Sequence, residues 1–453
     1  MSPQSAVPPF FFIFFSFGGL SFGSLLDYTR FQTGYPRYSW PGKLEKPKYE
    51  RFGFTTWADR FTPSSLSQSQ FTPSALSQRM ANVNDFGAKP NDDGDDTQAF
   101  EKAWNAACST GSVLLVPENS FYYLKPITFS GPCKPNTAFT IRGTIIAWPD
   151  MSAYENTGKS GLKYWIMFDG ITNLRVYGGG LIDGNGKKWW MNSCKINKNL
   201  PCKDAPTAVT FVECNSLRVA NLKSKNAQQM HFRIQRCKNV RVRDMVITAP
   251  EYSPNTDGIH VTETQDIIIS DCNIMTGDDC ISIVSGSQQV RAINITCGPG
   301  HGISIGSLGA DNSEAEVFDV LVNSSTLIGT DNGVRIKTWQ GGSGFARNIR
   351  FMNIEMQNVY NPIFIDQKYC DQSTPCPEQG SAVELSDVRY QNIKGTSASE
   401  VAIKLHCSKR IPCKGLYMQD VVLTPVDGGD IEASCENVEY VNRGKFYPQC
   451  VPA

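Results

Sequence analysis

A short strand motif keeps returning along this chain: "NLRV" at Asn173, "SLRV" at Ser216, "NVRV" at Asn239, "DIII" at Asp266, "QVRA" at Gln289, "NIRF" at Asn348 and "DVRY" at Asp387. Through the centre the copies fall roughly 23, 27 and 23 residues apart, and the intervals lengthen toward the C-terminus. Most copies are followed within two or three residues by a second apolar alternation, as in "NIRFMNIEM". β-Runs this short, separated by Asn, Asp and Gly turns, cannot bury an apolar face alone; each needs the next coil stacked on it. That requirement selects an all-β parallel β-helix. The Leu spacing of a leucine-rich repeat is missing, and a propeller blade needs about 40 residues per repeat.

Such a stack has an open apolar end that must be covered. The stretch "DDTQAFEKAWNAAC" offers a capping Asp or Thr and then Phe100, Trp104, Ala107 and Cys108 at helical spacing, which predicts a short amphipathic helix suited to that task. Upstream, "FFFIFFSFGGLSFGSLL" makes residues 1–26 a signal-like apolar segment, although no Lys or Arg precedes it. Residues 27–81 are rich in Ser, Thr, Gln and Pro and carry the near-repeats "FTPSSLSQ" and "FTPSALSQ", the composition of a linker or propeptide. The β-helix is therefore expected over 82–453.

The same period organises the polar motifs. Asp257, Asp279 and His301 follow one another at intervals of 22 residues, and Arg335 and Lys337 come one longer step on. On a solenoid these residues take equivalent places on successive coils and stack along one face. Neighbouring strands lie about 4.8 Å apart, so carboxylates on adjacent coils come within the range over which paired acids hydrolyse glycosidic bonds. Mutual repulsion would raise the pKa of one of them. Asp278 and Asp279 are sequence neighbours and would face opposite ways on an ideal strand; both reach one cleft only if Gly277 marks a bend. Taken singly, each group has a plainer reading. "GDD" is ordinary turn chemistry, His301 between glycines is a loop residue, and Arg335 with Lys337 pairs with acids on a nearby coil. The run "NDDGDD" at Asn91 reads as a solvated turn, too short for a calcium loop. Only their joint occurrence at coil spacing argues for a site.

From about Asn82 to Cys450 the chain resembles the polygalacturonases, pectin-cleaving glycoside hydrolases, and most closely their plant members. "SPNTDGIHV", "GDDC", "GHGISIGSLG" and "RIKTW" match that family's four motifs in order, and "GGGLIDGNGKKWW" fits the lead-in. The resemblance implies a right-handed parallel β-helix and metal-independent, inverting hydrolysis of de-esterified homogalacturonan with no cofactor. It implies Asp278 as the general acid and Asp257 with Asp279 as the groups that position and activate water. It further implies His301 supporting the acid, Asn255 supporting the first motif, and Arg335, Lys337 and Tyr369 binding the substrate. Three alternatives stay open at this point: an exo-acting or rhamnogalacturonan hydrolase, a calcium-dependent lyase, and a non-catalytic pectin-binding wall protein on the same scaffold.

Charge and cysteine usage place such a protein. Lys plus Arg and Asp plus Glu are equal at 43 each, so no global field draws in nucleic acid; a polyanionic chain would need a local cationic clamp. Fifteen cysteines without any CxxC pair point to disulfides in an oxidising compartment rather than to zinc. Short-range pairs are expected at Cys194/Cys202, Cys280/Cys297, Cys370/Cys376 and Cys407/Cys413, with Cys214, Cys237 and Cys272 buried and free. A secreted, N-glycosylated product follows from this pattern together with the sequons at Asn294 and Asn323, and the resemblance implies that it acts in the cell wall. The expected partners are the polysaccharide and inhibitor proteins of the wall, and the expected state is a monomer.

Overall fold

The computed structural model describes residues 80–155, 163–372 and 376–450. The signal-like segment and nearly all of the expected linker lie outside these residues. The described chain opens with the strand Met80–Asn82, paired with Val113–Val116. Every named strand pairs in parallel, in one sheet of 16 strands and one of 11. In a typical coil the chain runs up Lys238–Thr248 in the first sheet, turns, and crosses as Ile259–Thr262 in the second. It then returns as Gln265–Met275 directly on top of its starting strand. This is the parallel β-helix expected from the repeat, with the right-handed coiling that the resemblance implies.

The leading residue of the motif makes the corner. Asn239, Asp266, Gln289, Asn348 and Asp387 all sit in the left-handed region, at φ between 51 and 55°. Asn and Asp tolerate that conformation better than other non-glycine residues. A second set, Asp244, Asp271, Asn294 and Asn353, bends the same strands again midway. Asp319, at φ 57°, makes a corner of the same kind between Gln289 and Asn348. Its "DVLV" is a copy that the motif reading passed over, and it accounts for part of the lengthening toward the C-terminus. The arginine of the motif braces the next corner: Arg218 donates to the Asn239 carbonyl at 2.8 Å, Arg241 to that of Asp266 at 3.1 Å, and Arg291 to that of Asp319 at 2.7 Å.

Inside, alternate residues of each strand stack into continuous apolar rows. Ile259, Ile281, Ile303 and Val334 pair in register and are fully buried. The helix Thr97–Thr110 covers the first coils. Its N-cap is Asp96, which makes no side-chain capping bond; the residue before it, Asp95, accepts from the Thr97 amide through Oδ1 at 3.0 Å, and Trp104 packs against Phe129, Phe139 and Phe168. The four expected disulfides are present, joined by Cys108–Cys133 and Cys435–Cys450. Cys214, Cys237 and Cys272 are buried and free, as expected.

Candidate active site

Turns entering the second sheet carry the acids. Because Ile259, Ile281 and Ile303 are in register, Asp257, Asp279 and His301, each two residues earlier, stand level on consecutive coils. Arg335 does not continue that row, which corrects the expectation from spacing. Ile303 pairs with Val334, so the residue level with His301 on the next coil is Asn332, whose Nδ2 donates to the His301 carbonyl at 3.3 Å. Arg335 lies on the strand itself, in the outward row of His260, Ser282 and Ser304.

From there Arg335 reaches back across one coil. Its Nη2 donates to Asp279 Oδ1 at 2.9 Å while its Nε donates to Ser304 Oγ at 3.1 Å, and Ser304 Oγ in turn donates to the same oxygen of Asp279 at 2.7 Å. Lys337 Nζ holds the other oxygen, Oδ2, at 2.9 Å. Asp279 is 1% exposed. Burial by itself would favour the neutral acid, but the two cations and Ser304 outweigh it and hold this carboxyl at about 2. The pairing of Arg335 and Lys337 with an acid is thus realised. Tyr369 lies with its ring 5.5 Å from Lys337 Nζ and edge-on to Trp339.

Asp278 and Asp279 reach one site because residues 276–280 form a bend rather than a strand. A Cβ on Gly277 would stand 2.2 Å from the Ser253 carbonyl, so only glycine lets the two turns approach. Asp278 Oδ1 accepts from the Asp279 amide at 2.8 Å and meets His301 Nδ1 at 3.0 Å, and Asn255 Nδ2 lies 3.4 Å from its other oxygen. Burial disfavours the charged imidazole of His301, but the hydrogen bond to Asp278 and the charges of Asp278, Asp279 and Asp331 prevail and raise its pKa. Asp257 Oδ2 accepts from Ser282 Oγ at 2.6 Å. Desolvation, then the charges of Asp278 and Asp279, push its carboxyl well above the usual range. All eight residues singled out in the sequence therefore fall in one neighbourhood.

Donor atoms of Asp278, Asp279 and His301 lie within 4.8 Å of one another, close enough to raise the question of a metal. The donor set does not fit one. Both Asp279 oxygens already face a guanidinium and an ammonium, whose charges repel a divalent cation. Sequence reasoning missed Ser282, Ser304 and His260. Their signal was present all the same: each stands three residues after Asp279, His301 and Asp257 respectively, on the outward phase of the strand that follows. Farther along, Lys195, in the loop closed by Cys194–Cys202, donates to both oxygens of Asp371 beside the loop closed by Cys370–Cys376.

Residues 108–445 match the family described as glycosyl hydrolases family 28. A polygalacturonase of Arabidopsis thaliana is 59% identical over 376 residues, which is 82% of this chain and 84% of that one. Polygalacturonase-2 of Solanum lycopersicum is 55% identical over 374 residues, 82% of this chain and 81% of its own. Among solved structures, an endo-xylogalacturonan hydrolase from Aspergillus tubingensis superposes with a TM-score of 0.69 at 21% identity, over 81% of this chain and 100% of that one. A polygalacturonase from Erwinia carotovora gives 0.67 at 23%, over 84% and 99%. At such identities the structural likeness is one of fold.

Proposed function

This chain belongs to the glycosyl hydrolases of family 28, and from that membership and its site we propose that it is a polygalacturonase, hydrolysing the galacturonosyl linkages of de-esterified pectin. One observation carries the reading most directly: three aspartates gathered at one point, one of them ion-paired with Arg335 and Lys337. A polyanionic sugar chain cannot approach three acids unless cations offset the repulsion, and Arg suits bidentate carboxylate binding. In this reading Asp278, held by His301, is the general acid that protonates the leaving oxygen. Asp257 and Asp279 position the attacking water, Arg335 and Lys337 bind the substrate carboxylate, and Tyr369 and Asn255 border the reacting sugars. With acid and water on opposite sides of the bond, the anomeric centre inverts.

Asp278→Asn is expected to lower kcat by about 100-fold or more with KM little changed. Arg335→Ala is expected to weaken both, since the clamp serves ground and transition states. The decisive experiment digests de-esterified polygalacturonate and follows product size, with NMR of the first reducing end. Saturated oligogalacturonates of inverted configuration, formed in the presence of a chelator, are expected. An unsaturated product, or activity lost to the chelator and restored by calcium, overturns the reading. Six disulfides and the exposed sequon residue Asn294 support secretion as an N-glycosylated protein; in the same reading it acts in the wall as a monomer that wall inhibitor proteins would meet. No helix among the described residues is long and apolar enough to cross a membrane.

A further inference from the structure

Two of the site carboxylates are held by the same device with different endings. Asp279 receives Ser304, and Ser304 receives Arg335. Asp257 receives Ser282, and Ser282 meets His260 Nδ1 at 2.8 Å. The serines are homologous rungs of one row, paired in register. We propose that Asp257, rather than Asp279, accepts the proton of the attacking water, and that His260 is the positioning residue that permits this through Ser282. The inference rests on the hydrolytic reading above and divides a role that reading leaves to two residues.

The argument turns on what each chain can tolerate. A guanidinium only donates, so Arg335 with Lys337 can satisfy Asp279 as a carboxylate and in no other form. A neutral imidazole can donate or accept at Nδ1 according to tautomer. While Asp257 is ionised, His260 Nδ1–H donates to Ser282 and Ser282 donates to Oδ2. Once Asp257 carries a proton, the order can reverse: Asp257 donates to Ser282, and Ser282 donates to a bare Nδ1, the imidazole proton then sitting on Nε2. Both states keep the two contacts from Asp257 Oδ2 to Ser282 and from Ser282 to His260 Nδ1 paired, and each buried polar group so spared is worth about 1–3 kcal/mol.

Balance follows for the whole step. A water O–H bond breaks and its proton passes to Asp257 Oδ2, the oxygen that Ser282 meets, while the water oxygen bonds the anomeric carbon; the imidazole of His260 keeps its proton count, releasing one from Nδ1 to solvent water and taking one at Nε2. The glycosidic C–O bond breaks, and Asp278 gives its proton to the departing oxygen. The charges around the relay are consistent with it. Asp278, Asp279 and Lys337 face Asp257, and Arg233, Asp279 and Lys337 face His260. Desolvation and then the Arg233 guanidinium keep that imidazole neutral, its pKa pulled down to about 3.

The test is the pH profile of kcat/KM on polygalacturonate, whose acid limb reports the free enzyme's base. Ser282→Ala and His260→Phe are expected to lower kcat about 10-fold, leave KM within about twofold, and move that limb to higher pH, because Asp257 loses its donor. Ser282→Thr, which keeps the hydroxyl, should restore both. Ser304→Ala should raise KM by loosening Arg335 and leave the limb in place. A limb that moves in Ser304→Ala but not in Ser282→Ala overturns the assignment in favour of Asp279. An unmoved limb with normal kcat in both Ser282→Ala and His260→Phe overturns it outright. Asp278→Asn separates the two levels. If it stays fully active, the hydrolytic assignment fails; if it is inactive while the relay variants behave as wild type, only the present inference fails.

Discussion

Asp257 and Asp279 are the same residue in the same kind of turn one coil apart, and their neighbours drive them in opposite directions. Asp279 is depressed to about 2 by two cations, so the stability it contributes is present above the ordinary carboxylate range near about 3.9 and is lost as pH falls toward that lower value. Asp257 is raised, chiefly by burial. Its folded form binds the proton more tightly than the unfolded chain does, so stability declines as pH climbs from the ordinary range through the raised value. Asp257→Asn should therefore abolish activity yet raise Tm at neutral pH, by a few degrees at about 2 °C per kcal/mol, and the gain should vanish in acid. Scanning calorimetry at pH 4 and pH 7 checks both the sign and its pH dependence; a lower Tm at pH 7 would contradict the argument from burial.

At the scale of the strand, the repeat is a corner and a brace. The left-handed Asn or Asp turns the chain, and the arginine two residues later ties down the carbonyl of the corner above. Asp319 is the most heavily used corner. Its carboxylate receives Arg291 at 2.6 Å, Arg350 at 3.1 Å and Asn348 at 3.3 Å, with its side chain only 14% exposed. Asp319→Ala strands two arginines and forces alanine into a left-handed conformation, and should cost about 2 kcal/mol or more. Asp319→Asn keeps the corner and loses the charge, so it should cost less. Denaturant titration of the two variants separates backbone strain from ion pairing.

Taken whole, the solenoid gains its stability coil by coil, so its ends are where it is vulnerable. The helix Thr97–Thr110 covers one of them, and Trp104 is its anchor, packed among three phenylalanines and donating from Nε1 to the Ser130 carbonyl at 3.1 Å. Trp104→Ala should cost about 3–5 kcal/mol. It should also uncover parallel strand edges, so that light scattering rises before the main unfolding transition. A variant that unfolds in one step at the wild-type midpoint would show that the cap contributes little.

Much of this was legible in the linear chain, because a β-helix writes its architecture locally. Corner residues, alternation of period two and the span of each coil all lie within some thirty residues, and stacking turns an equal interval into adjacency. The parallel β-helix, the capping helix, four short-range disulfides, the three free cysteines and the gathering of Asp257, Asp279 and His301 were readable in this way. What the interval could not supply was register wherever a turn gains or loses residues. Between His301 and Arg335 the pairing shifts at Ile305–Leu308 and a short helical turn intervenes at Ala310–Asn312, so counting placed Arg335 in the wrong row. The bend that brings Asp278 beside Asp279 depends on Gly277 meeting the turn of the coil before it. The relays through Ser282 and Ser304 exist only between coils. Hydrogen bonds across coils are set by which side chains the stacking places within about 3 Å of one another, and that distance belongs to the tertiary structure alone.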